Sequence, residues 1–153
     1  MSFVSVPPAR PAAVISNTGF FPDIDLADAR DAMRIDGTAS DARLRVALVE
    51  AITSVNRDLI AWRQTQIAVG ITKLSDIDAD HIDGISELVH NYKQAVFSLA
   101  TASLQERYRS FDTTWEGHTR AGNLEMPIDD LRRDARCAIR NILGTSHTTV
   151  ELI

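Results

Sequence analysis

Cysteine is nearly absent: Cys137 stands alone among 153 residues, so no internal disulfide and no multi-cysteine metal site can form. That suits a reducing cytoplasm. Long apolar runs are missing as well, and nothing approaches the roughly 20 residues needed to cross a bilayer. The opening Met1-Ser2-Phe3-Val4-Ser5-Val6-Pro7-Pro8 has neither the basic start nor the apolar stretch of a signal peptide, so export is not expected. Concentrated positive charge is lacking too. With a net charge of -5 and basic residues interleaved with acids, the chain is a poor general nucleic-acid binder.

Motifs of catalysis are equally sparse. There is no Gly-rich phosphate loop, no G-x-S-x-G elbow and no H-E-x-x-H pair, and His81, His90, His118 and His147 are scattered. Asp76, Asp78 and Asp80, with Glu87 eleven residues after Asp76, come near a calcium loop. His81 stands where the turn needs glycine, however, and Asp83 where paired loops carry an apolar residue. A solvated turn into the next helix is the expected reading. Cys137, on the last helix beside Ala138 and Ile139, reads as a small core residue without an identifiable base. No enzyme, cofactor or metal site is therefore expected.

What the chain does contain is helical periodicity. A hydrophobic fraction of 44% over 153 residues fits one domain with a real core. The stretch 1–19, rich in Pro, Ala and Ser, reads as a flexible or extended arm. Asp25 can cap a short helix with Leu26, Ala29 and Met33 on one face, closed by Gly37. From Ser40 to Gly70 the apolar residues Leu44, Leu48, Ala51, Ile52, Val55, Leu59 and Trp62 recur at steps of three and four. One helix roughly 45 Å long is predicted there, a rod suited to packing beside copies of itself. An aspartate-rich loop runs from Gly70 to Gly84. A third helix spans about Ile85 to Phe111, with Leu88, Tyr92, Val96, Leu99 and Leu104 on its apolar side and a small-residue centre that should be the most buried stretch. Asp112 to Met126 reads as a loop. Pro127 opens a last helix that places Ile128, Leu131, Ala135, Ile139 and Ile142 on one face and stops at Gly144. The expected fold is all-α: a small bundle of about four helices over residues 20–144, an N-terminal arm 1–19 and a short C-terminal tail 145–153.

Three groups are candidate protein interfaces. Arg107, Tyr108 and Arg109 form either an anchor patch or the basic end of a helix. Phe20 and Phe21 either plug their own core or dock on a neighbour. Val150, Leu152 and Ile153 give the tail a hydrophobic end that could add to a partner.

Several blocks resemble one family. Phe20-Phe21-Pro22-Asp23-Ile24-Asp25, then Asp80-His81-Ile82-Asp83-Gly84 before the Tyr92 helix, then Ala100-Thr101-Ala102-Ser103-Leu104-Gln105-Glu106-Arg107-Tyr108-Arg109, and finally Ile128-Asp129-Asp130-Leu131-Arg132-Arg133-Asp134-Ala135-Arg136, are similar in order and spacing to the phage head completion proteins called GpL. They cover about residues 17–144. The resemblance implies a non-enzymatic head-tail connector that acts late in assembly of contractile-tailed phages. It would bind the portal protein after DNA packaging, self-associate there into a ring, expected to be twelvefold, retain the genome and offer a platform to tail-terminator and tail proteins. DNA would pass through without specific binding. No membrane is involved, and the protein would lie at the head-tail junction of the virion after assembly in the host cytoplasm. The rival reading is a cytoplasmic helical adaptor that binds a protein partner through the long second helix.

Overall fold

A computed structural model describes residues 13–35, 39–111 and 126–144. Five helices and two short two-stranded sheets make up those residues, so the chain is mainly α. Strand β1, Val14–Ile15, pairs antiparallel with β2, Ile24–Asp25, in the register Val14↔Asp25 and Ile15↔Ile24. The helices are α1 (Leu26–Met33), α2 (Asp41–Asp58), α3 (Ile60–Ala68), α4 (Glu87–Phe111) and α5 (Ile128–Leu143). Between α3 and α4 lie a turn of 3-10 helix at Leu74–Asp76 and a second hairpin, β3 (His81–Ile82) with β4 (Ile85–Ser86).

Local chemistry sets most of the boundaries. Asp25 caps α1 by accepting from the amides of Ala27 (2.7 Å) and Asp28 (3.3 Å). The helix ends at Arg34, which is left-handed at φ 50°, with Arg34 N–H donating to Asp31 and Ile35 N–H donating to Arg30. This pair of bonds is the Schellman arrangement, and Ile35 makes the hydrophobic contact that accompanies it. Gly37, read as the stop, lies outside the described residues. Gly70 (φ 94°) ends α3 in the same way, with Ile71 N–H bonded to Gln66. Ser40 Oγ caps α2 by accepting from Arg43 N–H, and Gly144 closes α5 in the left-handed region.

Helix α4 is the axis of the fold. It packs against α5, α2 and α1. Its buried positions Tyr92, Ala95, Val96, Ala100 and Ala102 mix large and small side chains, as two close helix neighbours require. No residue from Ala95 to Ser103 is exposed. Helix α2 contributes Leu44, Ala47, Leu48, Ala51, Ile52 and Val55, and α5 contributes Leu131, Ala135, Ala138, Ile139 and Ile142.

Three expectations need correction. The predicted rod from Ser40 to Gly70 is not one helix: the chain turns at Leu59, whose backbone (φ -96°, ψ 2°) leaves the helical region. Proline and glycine are absent there, so tertiary packing sets the turn. Leu59 is wholly buried, whereas α3 beyond it buries no residue completely, and Trp62 reaches Phe20 edge-on at 6.2 Å. The acidic loop is the second case. His81–Ile82 and Ile85–Ser86 form a hairpin around Asp83-Gly84, both with positive φ (53° and 71°), the signature of a type I′ turn. Residues 13–19, read as the end of an arm, supply strand β1, and Ile15 enters the core.

Candidate interaction surface

The block Phe20 to Asp25 is used to build the fold. Phe21 stacks face to face on Tyr92 with centroids 4.7 Å apart, and Phe20 meets Phe21 edge-on at 5.1 Å. Ile24 is fully buried. Behind these rings a closed polar triangle forms. Asn17 Nδ2 donates to the Tyr92 hydroxyl (2.8 Å), that hydroxyl donates to Asn56 Oδ1 (2.7 Å), and Asn56 Nδ2 donates to Asn17 Oδ1 (2.9 Å). Asn17 also donates from Nδ2 to the Pro22 carbonyl and from its backbone to Asp23 Oδ1. Burial pushes the Tyr92 phenol up to about 12, against a smaller downward pull from the Asn17 bond. The triangle ties the β1–β2 hairpin to α2 and α4, so Phe20 and Phe21 lie in the core of their own chain.

The outer side of the same turn is open. Gly19 to Asp23, Lys73 to Ser75 and Val89 line a groove of about 350 Å³, with Leu74 N–H donating to the Phe20 carbonyl beneath it.

Arg107 Nη2 donates to both carboxylate oxygens of Glu50 of α2, at 2.7 Å each. It therefore braces α4 against α2, while Ser103 Oγ lies 3.5 Å from the same carboxylate. Glu106 pairs across to Arg132 of α5. The side chains of Tyr108 and Arg109, and all of Val150, Leu152 and Ile153, lie outside the described residues.

The aspartates of residues 76–83 surround backbone bonds. Glu87 N–H donates to the Asp80 carbonyl, and His90 Nε2 lies 2.9 Å from the Ile82 carbonyl. Among the described residues no group of three or more His, Cys, Asp or Glu is placed to hold a metal ion, and no helix is long and apolar enough to cross a membrane.

Exposed apolar residues are where sequence reasoning fell short. Val46, Val49 and Ile60 lie on the outer side of α2 and at the start of α3, Ile67 and Val69 at the end of α3, and Ile82 and Ile85 on the second hairpin. Val46 and Val49 stand off the core register of Leu44, Leu48 and Ala51, a departure readable in the sequence itself.

Residues 15–153 match the family described as phage head completion protein (GPL). The chain belongs to that family. A curated GPL-like relative, the head completion/stabilization protein of Escherichia phage P2, is 43% identical over 146 residues, covering 95% of this chain and 86% of its own length. No solved structure matches the chain. The four blocks that resemble GpL lie within the matched span, which also reaches the C-terminal residue. Phe20, Phe21 and Ile24 of the first of those blocks are buried in the chain's own core.

Proposed function

We propose that this chain completes the DNA-filled phage head by binding the portal protein after packaging. Copies of it form a ring there, retain the genome and give tail-terminator and tail proteins a platform. One observation carries the reading: identity of 43% along 95% of the chain with a head completion/stabilization protein. The geometry is compatible with it. A rigid core of α2, α4 and α5 holds outward a set of apolar side chains on α2, α3 and the β3–β4 hairpin, as a subunit with several protein neighbours would. DNA passes such a ring without specific contacts, in keeping with the net charge of -5. The protein then resides at the head-tail junction of the virion after assembly in the host cytoplasm.

Electron microscopy of a lysate from phage lacking this gene tests the reading. The expected picture is heads and finished tails lying apart, with heads losing their DNA. Joined, DNA-filled particles at wild-type yield would end it.

A further inference from the structure

We propose that the outer face of α2 receives the β3–β4 hairpin of a second copy of this chain; this rests on the ring reading above and names the surfaces that build the ring. Val46 and Val49 are 49% and 44% exposed and stand on the side of α2 opposite its core residues, in line with Thr53. β-Branched residues are poor choices for an open helix face, where Ala, Glu or Lys would stabilise the helix better. Across the β3–β4 pair, Ile82 (61% exposed) and Ile85 (40%) face one another and form a single apolar knob.

Charge supplies the direction of the match. Around the α2 valines stand Arg43, Arg45 and Arg57, all exposed and none with an ion-pair partner among the described residues. The one carboxylate of that face, Glu50, is held by Arg107. Around the hairpin, the span between Lys73 and Lys93 holds Asp76, Asp78, Asp80, Asp83 and Glu87 and no Lys or Arg. None of those five carboxylates has an ion-pair partner among the described residues. An apolar stripe edged with arginine thus faces an apolar knob edged with carboxylates, complementary in both respects.

One chain cannot join these surfaces to each other. His90 holds the hairpin through the Ile82 carbonyl, whereas Tyr92, two positions on and so on the opposite side of α4, bonds to Asn56 of α2. The two surfaces therefore lie on different sides of the molecule. A contact between unlike faces of identical chains is head-to-tail, and such contacts close into rings when the rotation permits.

Disulfide trapping in assembled particles tests this. Full-length protein carrying Val49→Cys and Ile82→Cys, with Cys137→Ser, would be supplied to phage lacking the gene, and the particles oxidised. The expected result is a ladder at multiples of 16.9 kDa on a non-reducing gel, collapsing to monomer under reductant, with each single-cysteine variant remaining monomeric. Val46→Cys with Ile85→Cys is the second pair, and all four positions are exposed, so folding should survive. Monomer alone from both pairs overturns the proposal, as does a dimer from a single-cysteine variant, which would mean a like-to-like contact. Failure of the head-completion reading itself is seen separately, as normal particles without the gene.

Discussion

At the scale of single residues, Tyr92 ties three elements together. Its ring stacks on Phe21 and its hydroxyl closes the triangle with Asn17 and Asn56, so one side chain joins the N-terminal hairpin to α2 and α4. Replacing it by Phe keeps the stack but leaves Asn56 Oδ1 and one Asn17 N–H without that partner. Tyr92→Phe should therefore lower stability by about 1–3 kcal/mol, read as a shifted urea midpoint at pH 8. The phenol also predicts behaviour in alkali. Its folded pKa of about 12 lies above the ordinary value of 10.0. Below pH 10 both states keep the proton and nothing is lost. Between pH 10 and 12 the unfolded chain gives up its proton first, so stability falls as pH rises, by roughly 3 kcal/mol in full. Unfolding curves at pH 9 and 11.5 should show wild type losing more than Tyr92→Phe, and equal losses would mean that Tyr92 does not titrate late. Asn17 and Asn56 gave no sign of this role in the sequence, because they sit 39 positions apart and only the fold brings them together.

Among the elements, α5 and α4 were legible because their apolar periods are uninterrupted and their ends carry local signals such as Gly144. The break at Leu59 was not. Its cause is the burial of Leu59 and the reach of Trp62 towards Phe20, contacts that no window along the chain contains. The β3–β4 hairpin differs: a turn was expected there, but the strands beside Asp83-Gly84 are only two residues long each and leave no alternating pattern to read. The turn makes its own prediction. A Cβ at Gly84 would meet nothing within 4 Å, so Gly84→Ala carries only the backbone cost of a left-handed residue, about 1–2 kcal/mol. Thermal unfolding should show a Tm lower by about 2–8 °C. Asp83→Asn should leave Tm nearly unchanged, since Asn tolerates positive φ. The Arg107–Glu50 pair should matter little to stability despite its geometry, because both side chains are about half exposed. Arg107→Ala should move the urea midpoint by no more than about 1 kcal/mol equivalent, and a much larger loss would mean that the pair is the main tie between α2 and α4.

For the whole molecule, the family's likeness extends beyond the helical core. Residues 15–153 match, so the last nine positions belong to what the family shares, although α5 ends at Leu143 and the described residues at Gly144. Among the described residues α5 is closed by Gly144, and its buried residues pack on α4. We propose that this shared segment serves a partner, with Val150, Leu152 and Ile153 as the side chains it would offer. Deleting Thr145 to Ile153 should leave helix content by circular dichroism and the urea midpoint almost unchanged. Binding to purified portal should weaken at least tenfold, about 1.4 kcal/mol. The α2 face and the hairpin remain intact in that variant, so disulfide trapping between neighbours should still yield multimers wherever portal is saturated. Equal portal affinity with and without the tail would remove it from the contact and leave the groove beside Phe20 and Lys73 as the next surface to alter.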